Sequence, residues 1–170
     1  ISLSVAEREI FMRESEALAS FLGAQPQHFV HRDFHTRNLM VKDQELAVID
    51  FQDARLGPAA YDLVSICFDS YVPITLDQRL ELLTAGINRI AKDSSEKIGI
   101  EIATHWQAML LQRQLKAIGS FGYLTLAKNR GNYLRYVLPA LTTLNVEVVY
   151  DERWPFISST LVQRLLTNAN

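Results

Sequence analysis

Phe29-Val30-His31-Arg32-Asp33-Phe34-His35-Thr36-Arg37-Asn38-Leu39-Met40-Val41, followed a short turn later by Leu46-Ala47-Val48-Ile49-Asp50-Phe51, is the stretch on which the reading of this chain turns. The apolar runs at 39–41 and 46–49 flank the polar turn Lys42-Asp43-Gln44-Glu45, a pattern that predicts two short strands joined as a β-hairpin. Such a hairpin places Asn38 and Asp50 at its open end, beside the loop that carries Asp33. A carboxylate able to take a proton then meets an amide oxygen and a second carboxylate, hard donors of the kind that suit Mg²⁺. Taken singly, Asp33 and Asn38 are also ordinary turn formers and Asp50 an ordinary strand-end cap. Three residues of the right types at this spacing around one hairpin favour a site.

Working outward, Ser4 and Glu7 are spaced as a capping box, and Ile10, Phe11, Leu18, Phe21 and Leu22 follow at helical intervals, which predicts a helix over 5–22 ended by Gly23 and Pro26. Beyond Gly57-Pro58 the pattern is helical throughout. A helix is predicted over 60–71 and closed by Pro73. A second one is capped by Thr75 and Gln78, with Leu76, Leu80, Leu83, Ile87 and Ile90 on one face. A polar connector at 92–97 leads to a long helix over 98–127, where Gly119 and Gly122 weaken continuity. A turn at 128–132 precedes helical segments over 133–149 and 152–167, with Pro139 and Pro155 suited to first turns.

The whole is a mainly α (α+β) chain of 170 residues, a length that fits one domain with a substantial core. Net charge is −2 and pI about 6.1, so there is no global basic field for nucleic acid. No apolar run approaches the length of a membrane span and no signal-peptide pattern opens the chain, so neither a nucleic-acid nor a membrane partner is expected, and a cytoplasmic location is. The single Cys67, between Ile66 and Phe68, reads as a buried small hydrophobe.

The run from His31 to Val41, then Val48-Ile49-Asp50-Phe51-Gln52-Asp53-Ala54, Gly57-Pro58 and Tyr61-Asp62-Leu63-Val64-Ser65, resembles the aminoglycoside phosphotransferase family, which is similar in fold to protein kinases. Within it the chain most resembles the branch of sugar kinases that act on N-acetylmuramate and N-acetylglucosamine. Gln112-Arg113-Gln114-Leu115-Lys116 and the segment Tyr133-Leu134 through Leu138-Pro139 extend that likeness. The resemblance implies a helical C-terminal lobe of a protein-kinase-like fold, with a small hairpin carrying the catalytic and metal loops. It implies Asp33 as the catalytic base, Asn38 and Asp50 as Mg²⁺ ligands, ATP as phosphate donor, and a small-molecule acceptor, an aminosugar or amino alcohol.

The same resemblance makes Asp62, with His31, a structural support of the catalytic loop. Asp62 is equally well explained as a first-turn acid favoured by the helix dipole. His35, Arg37, Gln52 and Asp53 are secondary candidates for substrate or phosphate contacts, each with a surface or turn reading beside it. Gln52 stands where a protein kinase has Gly, as is usual in the sugar-kinase branch. Arg113 and Lys116, on adjacent helical positions, read first as a solvated helix face and second as a contact for an anionic sugar.

A kinase of this kind also needs a glycine-rich loop and a strand lysine on the nucleotide phosphates. The seven glycines, at 23, 57, 86, 99, 119, 122 and 131, form neither pattern, and the first residue is Ile1. Residues 1–170 are therefore expected to be a single C-terminal lobe, with an N-terminal nucleotide-binding lobe of the same parent protein as partner. Alone, these residues are expected to be poorly active. Two rival readings remain. His31, Asp33 and His35 on a strand would share a face, as in a metal-dependent hydrolase; alternatively, the chain is a non-catalytic, pseudokinase-type interaction module.

Overall fold

The computed structural model describes residues 2–129, 131–144 and 146–169. Arg130, in the predicted turn over 128–132, and Asn145, in the predicted segment over 133–149, lie outside the described residues. Among the described residues the chain is mainly α with two small two-stranded sheets. It divides into two compact units, one of residues Gln25–Met109 and one of residues up to Ala24 together with those from Leu110 onward.

The second of these units opens with helix α1 (Val5–Gly23), whose N-terminus carries the predicted box: Ser4 Oγ accepts from Glu7 N at 3.3 Å and Ser4 N donates to Glu7 Oε2 at 2.8 Å.

The unit Gln25–Met109 is built on four strands. β1 (Gln27–Val30) is followed by β2 (Leu39–Lys42), β3 (Glu45–Val48) and β4 (Arg55–Pro58). β2 and β3 form the predicted hairpin, in register from Leu39↔Val48 to Lys42↔Glu45. Asp43 and Gln44 make the two-residue turn at φ 51° and 67°, the positive-φ geometry that matches the twist of paired strands. β1 pairs antiparallel with β4 across Gln27↔Pro58 to Val30↔Arg55, a pairing the sequence reading missed. Gly57 permits it, since a Cβ there would stand 2.8 Å from Val30 Cγ2.

Helix α2 (Ala60–Cys67) stops four residues before its predicted end. The cause lies in side chains rather than in Pro73. Asp69 Oδ1 accepts from Tyr71 N at 2.8 Å, and the guanidinium of Arg79 collects the carbonyls of Cys67, Asp69 and Val72 at 3.0, 3.0 and 2.6 Å. These bonds satisfy carbonyls that a continuing helix would have used. Burial pulls the Arg79 guanidinium below its ordinary pKa, partly offset by the neighbouring Asp69. Helix α3 (Leu76–Asp93) starts at a second capping box, Thr75 with Gln78, as predicted. Gly86 lets α3 approach α2 closely, because a Cβ there would meet Leu63 at 2.5 Å. Helix α4 (Glu96–Leu126) runs unbroken through Gly119 and Gly122. The core of this unit includes Val30, Val64, Phe68, Leu83 and Ile102, with Trp106 stacked on Phe68 at 6.0 Å. His28 on β1 meets Glu101 on α4 at 2.9 Å.

In the other unit a 3₁₀ segment (Gly131–Tyr136) leads to α5 (Val137–Thr143) and the short α6 (Val146–Val149). Pro139 sits in the first turn of α5, as predicted. Pro155 precedes a π-helical stretch (Phe156–Thr160) that continues into α7 (Leu161–Ala169). Buried Glu14 of α1 accepts from the otherwise orphaned Ile157 N at 3.0 Å, which gives that stretch its cap. Phe21 packs on Trp154 at 5.5 Å, with the Arg153 guanidinium against both rings.

Cys67 is buried, and burial pushes its thiol up to about 11 from an ordinary value of 9.0. The native chain should therefore resist a thiol alkylating agent at neutral pH and react only after unfolding, which mass spectrometry of treated protein reads directly. Because the folded pKa is raised, the contribution is complete below pH 9 and lost as pH climbs towards 11. Cys67→Ala should remove that part of the alkaline destabilisation.

Candidate active site

The site lies within the unit Gln25–Met109, where the strand β1 delivers the chain into the polar loop 31–38. Two strained residues bracket it. Arg32 at φ 74° and Asp50 at φ 69° adopt left-handed backbone without being glycine, a cost that surrounding bonds must offset. At Arg32 those bonds come from Asp62, in the first turn of α2. Its two carboxylate oxygens accept from His31 N at 2.6 Å and Arg32 N at 3.0 Å.

The loop closes on itself after that. His35 N donates to Asp33 O at 3.1 Å, Asn38 N to His35 O at 2.9 Å, and Asn38 Nδ2 to Asp33 O at 2.9 Å. Residues Thr36–Asn38 form a 3₁₀ turn that feeds directly into β2. At the base of the hairpin Ile49 N donates to Asn38 O at 3.0 Å, and buried His31 reaches Ile49 O through Nε2 at 3.0 Å. A carbonyl only accepts, so Nε2 carries the proton; His31 Nδ1 is buried without a hydrogen bond. Loop 31–38 and the strand end before Asp50 are thereby fixed to each other.

Asn38 Nδ2 also lies 3.5 Å from Asp50 Oδ2, so the predicted trio of Asp33, Asn38 and Asp50 is brought together at the open end of the hairpin. Asn38 is buried, Asp33 half-buried and Asp50 exposed. The Asn38 amide, with its nitrogen committed to Asp33 O, retains its oxygen as a donor atom, and Asp50 adds a carboxylate. This pair fits a hard divalent cation. Gln52 donates to Asp50 Oδ1. Asp53 enters through its main chain, its carbonyl accepting from Arg32 Nη1 at 3.3 Å. His35 and Arg37 both rest on Tyr71: the His35 ring meets it edge-on at 5.6 Å, and the Arg37 guanidinium lies 3.7 Å from its centroid.

Residues 31–35 are irregular loop, so His31, Asp33 and His35 do not share the face of a strand, and among the described residues no three His, Cys, Asp or Glu side chains cluster as metal ligands. No described helix is long and apolar enough to cross a membrane.

The sequence profile of the phosphotransferase enzyme family matches residues 2–94, a span that contains every residue of this loop and hairpin. The chain belongs to that family. Its relatives include three proteins named N-acetylmuramate/N-acetylglucosamine kinase. The one from Neisseria meningitidis serogroup B is 33% identical over 171 residues, covering 88% of this chain and 50% of the relative. That from Pseudomonas putida is 31% identical over 137 residues, 79% of this chain and 40% of the relative. That from Pseudomonas aeruginosa is 34% identical over 117 residues, 65% and 33% respectively. The chain thus spans about half the length, or less, of the curated relatives it matches. The family match and the hairpin trio were both foreshadowed by local sequence. Asp69 and Tyr71, which hold the middle of the loop, were not. A signal existed, since an acid directly after the apolar run Ile66-Cys67-Phe68 must find partners if buried.

Proposed function

We propose that this chain carries the acceptor-activating and metal-holding part of an ATP-dependent phosphotransferase that acts on a hydroxyl of a small molecule, an aminosugar first. The observation that carries the reading is the convergence at Asn38, whose amide nitrogen lies 2.9 Å from the main-chain carbonyl of Asp33 and 3.5 Å from the carboxylate oxygen Oδ2 of Asp50. The acceptor oxygen attacks the γ-phosphorus, the new P–O bond forms as the bridging P–O bond to the β-phosphate breaks, and ADP leaves. The Asp33 carboxylate takes or orients the hydroxyl proton. Asn38 and Asp50 would hold Mg²⁺, which when bound neutralises phosphate charge.

The remaining grip on the nucleotide comes, in this proposal, from an N-terminal lobe of the same parent protein. The supporting observation is an exposed apolar pair beside the site: Phe29 and Leu56 face each other across β1 and β4 at 76% and 68% exposure. Side chains of this size are rarely left in water side by side without a partner. The aminosugar is favoured because the relatives are named for N-acetylmuramate and N-acetylglucosamine.

The test is an ATP-consumption screen of the full-length protein against these two sugars, aminoglycosides, choline-like amines and homoserine-like alcohols. Turnover is expected with the N-acetyl sugars. Consumption with an amine or amino acid alone would move the acceptor class, and none with any acceptor would overturn the reading. In the same assay Asp50→Asn should raise the Mg²⁺ concentration needed for half-maximal rate by about tenfold or more, as loss of one charged oxygen ligand implies.

A further inference from the structure

The catalytic loop is tied to the rest of its unit at a second place that the kinase reading above leaves unused. Asp62 holds its entrance at residues 31 and 32. Its middle is held by the connector between α2 and α3. Buried Asp69, 5% exposed, accepts through a single oxygen, Oδ2, both Thr36 N at 2.9 Å and Thr36 Oγ1 at 2.6 Å. Its other oxygen accepts Tyr71 N at 2.8 Å, and the Tyr71 ring is the platform for the two side chains that flank Thr36, His35 and Arg37. Arg79, itself buried, fixes the backbone of the same connector through the Cys67, Asp69 and Val72 carbonyls. A carboxylate accepting three donors, with its own main chain held by a guanidinium, is a rigid anchor.

Thr36 stands between Asp33 and Asn38 in the turn closed by the Asp33 carbonyl. Moving Thr36 therefore alters the separation of the base from the metal ligand. We propose that Asp69 is a positioning residue for phosphoryl transfer: through Thr36 it sets the spacing of Asp33 and Asn38, and through Tyr71 it seats His35 and Arg37 at the acceptor side of the loop. The proposal rests on the phosphotransferase reading and deepens it. Asp69 touches neither acceptor nor phosphate in this assignment. Its effect is transmitted through the hydroxyl and amide of residue 36.

The experiment uses Thr36→Val and Thr36→Ser in the full-length protein, with Asp69→Asn beside them. Thr36→Val keeps size, branching and the backbone bond but deletes the hydroxyl that Asp69 holds. Three donors converge on Asp69, so its replacement by an amide must turn an NH₂ towards one of them. The expected result for Thr36→Val is a kcat loss of about tenfold or more, the scale on which small misplacements of reacting groups act, with the KM for ATP and the thermal midpoint little changed. Thr36→Ser should recover most of that loss by restoring the hydroxyl. Hydrogen exchange across residues 33–38 should quicken in Thr36→Val and in Asp69→Asn while the helices keep their protection.

Full kcat in Thr36→Val would overturn the proposal. So would equal losses in Thr36→Val and Thr36→Ser, or a loss that merely follows the thermal midpoint, since either outcome makes residue 36 a packing position. If the parent protein transfers phosphate to no acceptor, the phosphotransferase reading fails by itself. The exchange measurement then still decides whether Asp69 holds the loop: unaltered exchange at 33–38 in both variants overturns the anchor, and selective quickening sustains it.

Discussion

Asp33→Asn in the full-length protein is expected to lower kcat by about a hundredfold to ten-thousandfold, the range that a positioned general acid or base supplies, while the thermal midpoint stays at the parent value. The two halves of that expectation come from different atoms of the same residue. The bonds by which Asp33 closes the turn over residues 33–38, from His35 N at 3.1 Å and from Asn38 Nδ2 at 2.9 Å, end on its main-chain carbonyl. An asparagine keeps that carbonyl and nearly the same side-chain shape. What it loses is the capacity to accept a hydroxyl proton at neutral pH. Steady-state kinetics with a saturating acceptor, alongside a thermal melt of the same preparation, checks both halves. Turnover near the parent value would remove Asp33 from the base role, and a collapsed melt would make it a folding residue instead.

The sequence was legible wherever structure is written locally. Ser4 with Glu7 and Thr75 with Gln78 are spaced by three residues, and both capping boxes form as read. The hairpin needs only the polar turn at residues 43 and 44 between apolar runs, and its open end then brings Asn38 to Asp50 as a matter of strand geometry. Illegible features depend on partners far along the chain. β4 is the four-residue run Arg55-Leu56-Gly57-Pro58, which shows no alternation of its own and becomes a strand because β1, almost thirty residues earlier, offers its backbone. The overrun of α2 has the same origin. Phe68 and Tyr71 continue a helical pattern, yet the chain leaves the helix because Arg79, in the next helix, takes the carbonyls and Asp69 turns to Tyr71 and Thr36. His28 showed no role in sequence because its partner, Glu101, lies 73 residues away.

The candidate site divides along the same line. The grouping of Asp33, Asn38 and Asp50 at the open end of the hairpin was readable from residue types at fixed spacing. Gln52 and Asp53 were readable as neighbours of the site but not in their bonds, since Gln52 donates to the Asp50 carboxylate and the Asp53 carbonyl accepts from Arg32. The residues that hold the loop in shape sit on elements that follow it. Asp62 stood open between two explanations for that reason: one explanation is local and the other requires knowing that α2 starts beneath the loop.

Asp62→Ala decides between them by magnitude. An acid that only complements the first turn of α2 contributes about 0.3–1 kcal/mol, and its loss leaves loop 31–38 untouched. The geometry demands more. Two consecutive backbone donors, His31 N at 2.6 Å and Arg32 N at 3.0 Å, lose their acceptors together, one of them in a residue only 8% exposed. Leaving such donors unpaired costs about 1–3 kcal/mol each where water is excluded, so a total loss near 2–4 kcal/mol is expected after allowing for the partial exposure of Asp62. Arg32 at φ 74° would then keep a left-handed backbone, unfavourable by about 1–2 kcal/mol for a residue with a Cβ, with nothing to hold it there. Relaxation of that residue rotates the peptide that leads directly into Asp33. A displacement of the base on the ångström scale costs about a hundredfold in rate, so Asp62→Ala should lose turnover even at temperatures where it remains folded. Denaturant titration and kinetics on one preparation separate the two explanations: a loss below about 1 kcal/mol with turnover retained makes Asp62 a helix-terminal acid, whereas a larger loss accompanied by a fall in kcat makes it the support on which the strained entrance to the catalytic loop rests.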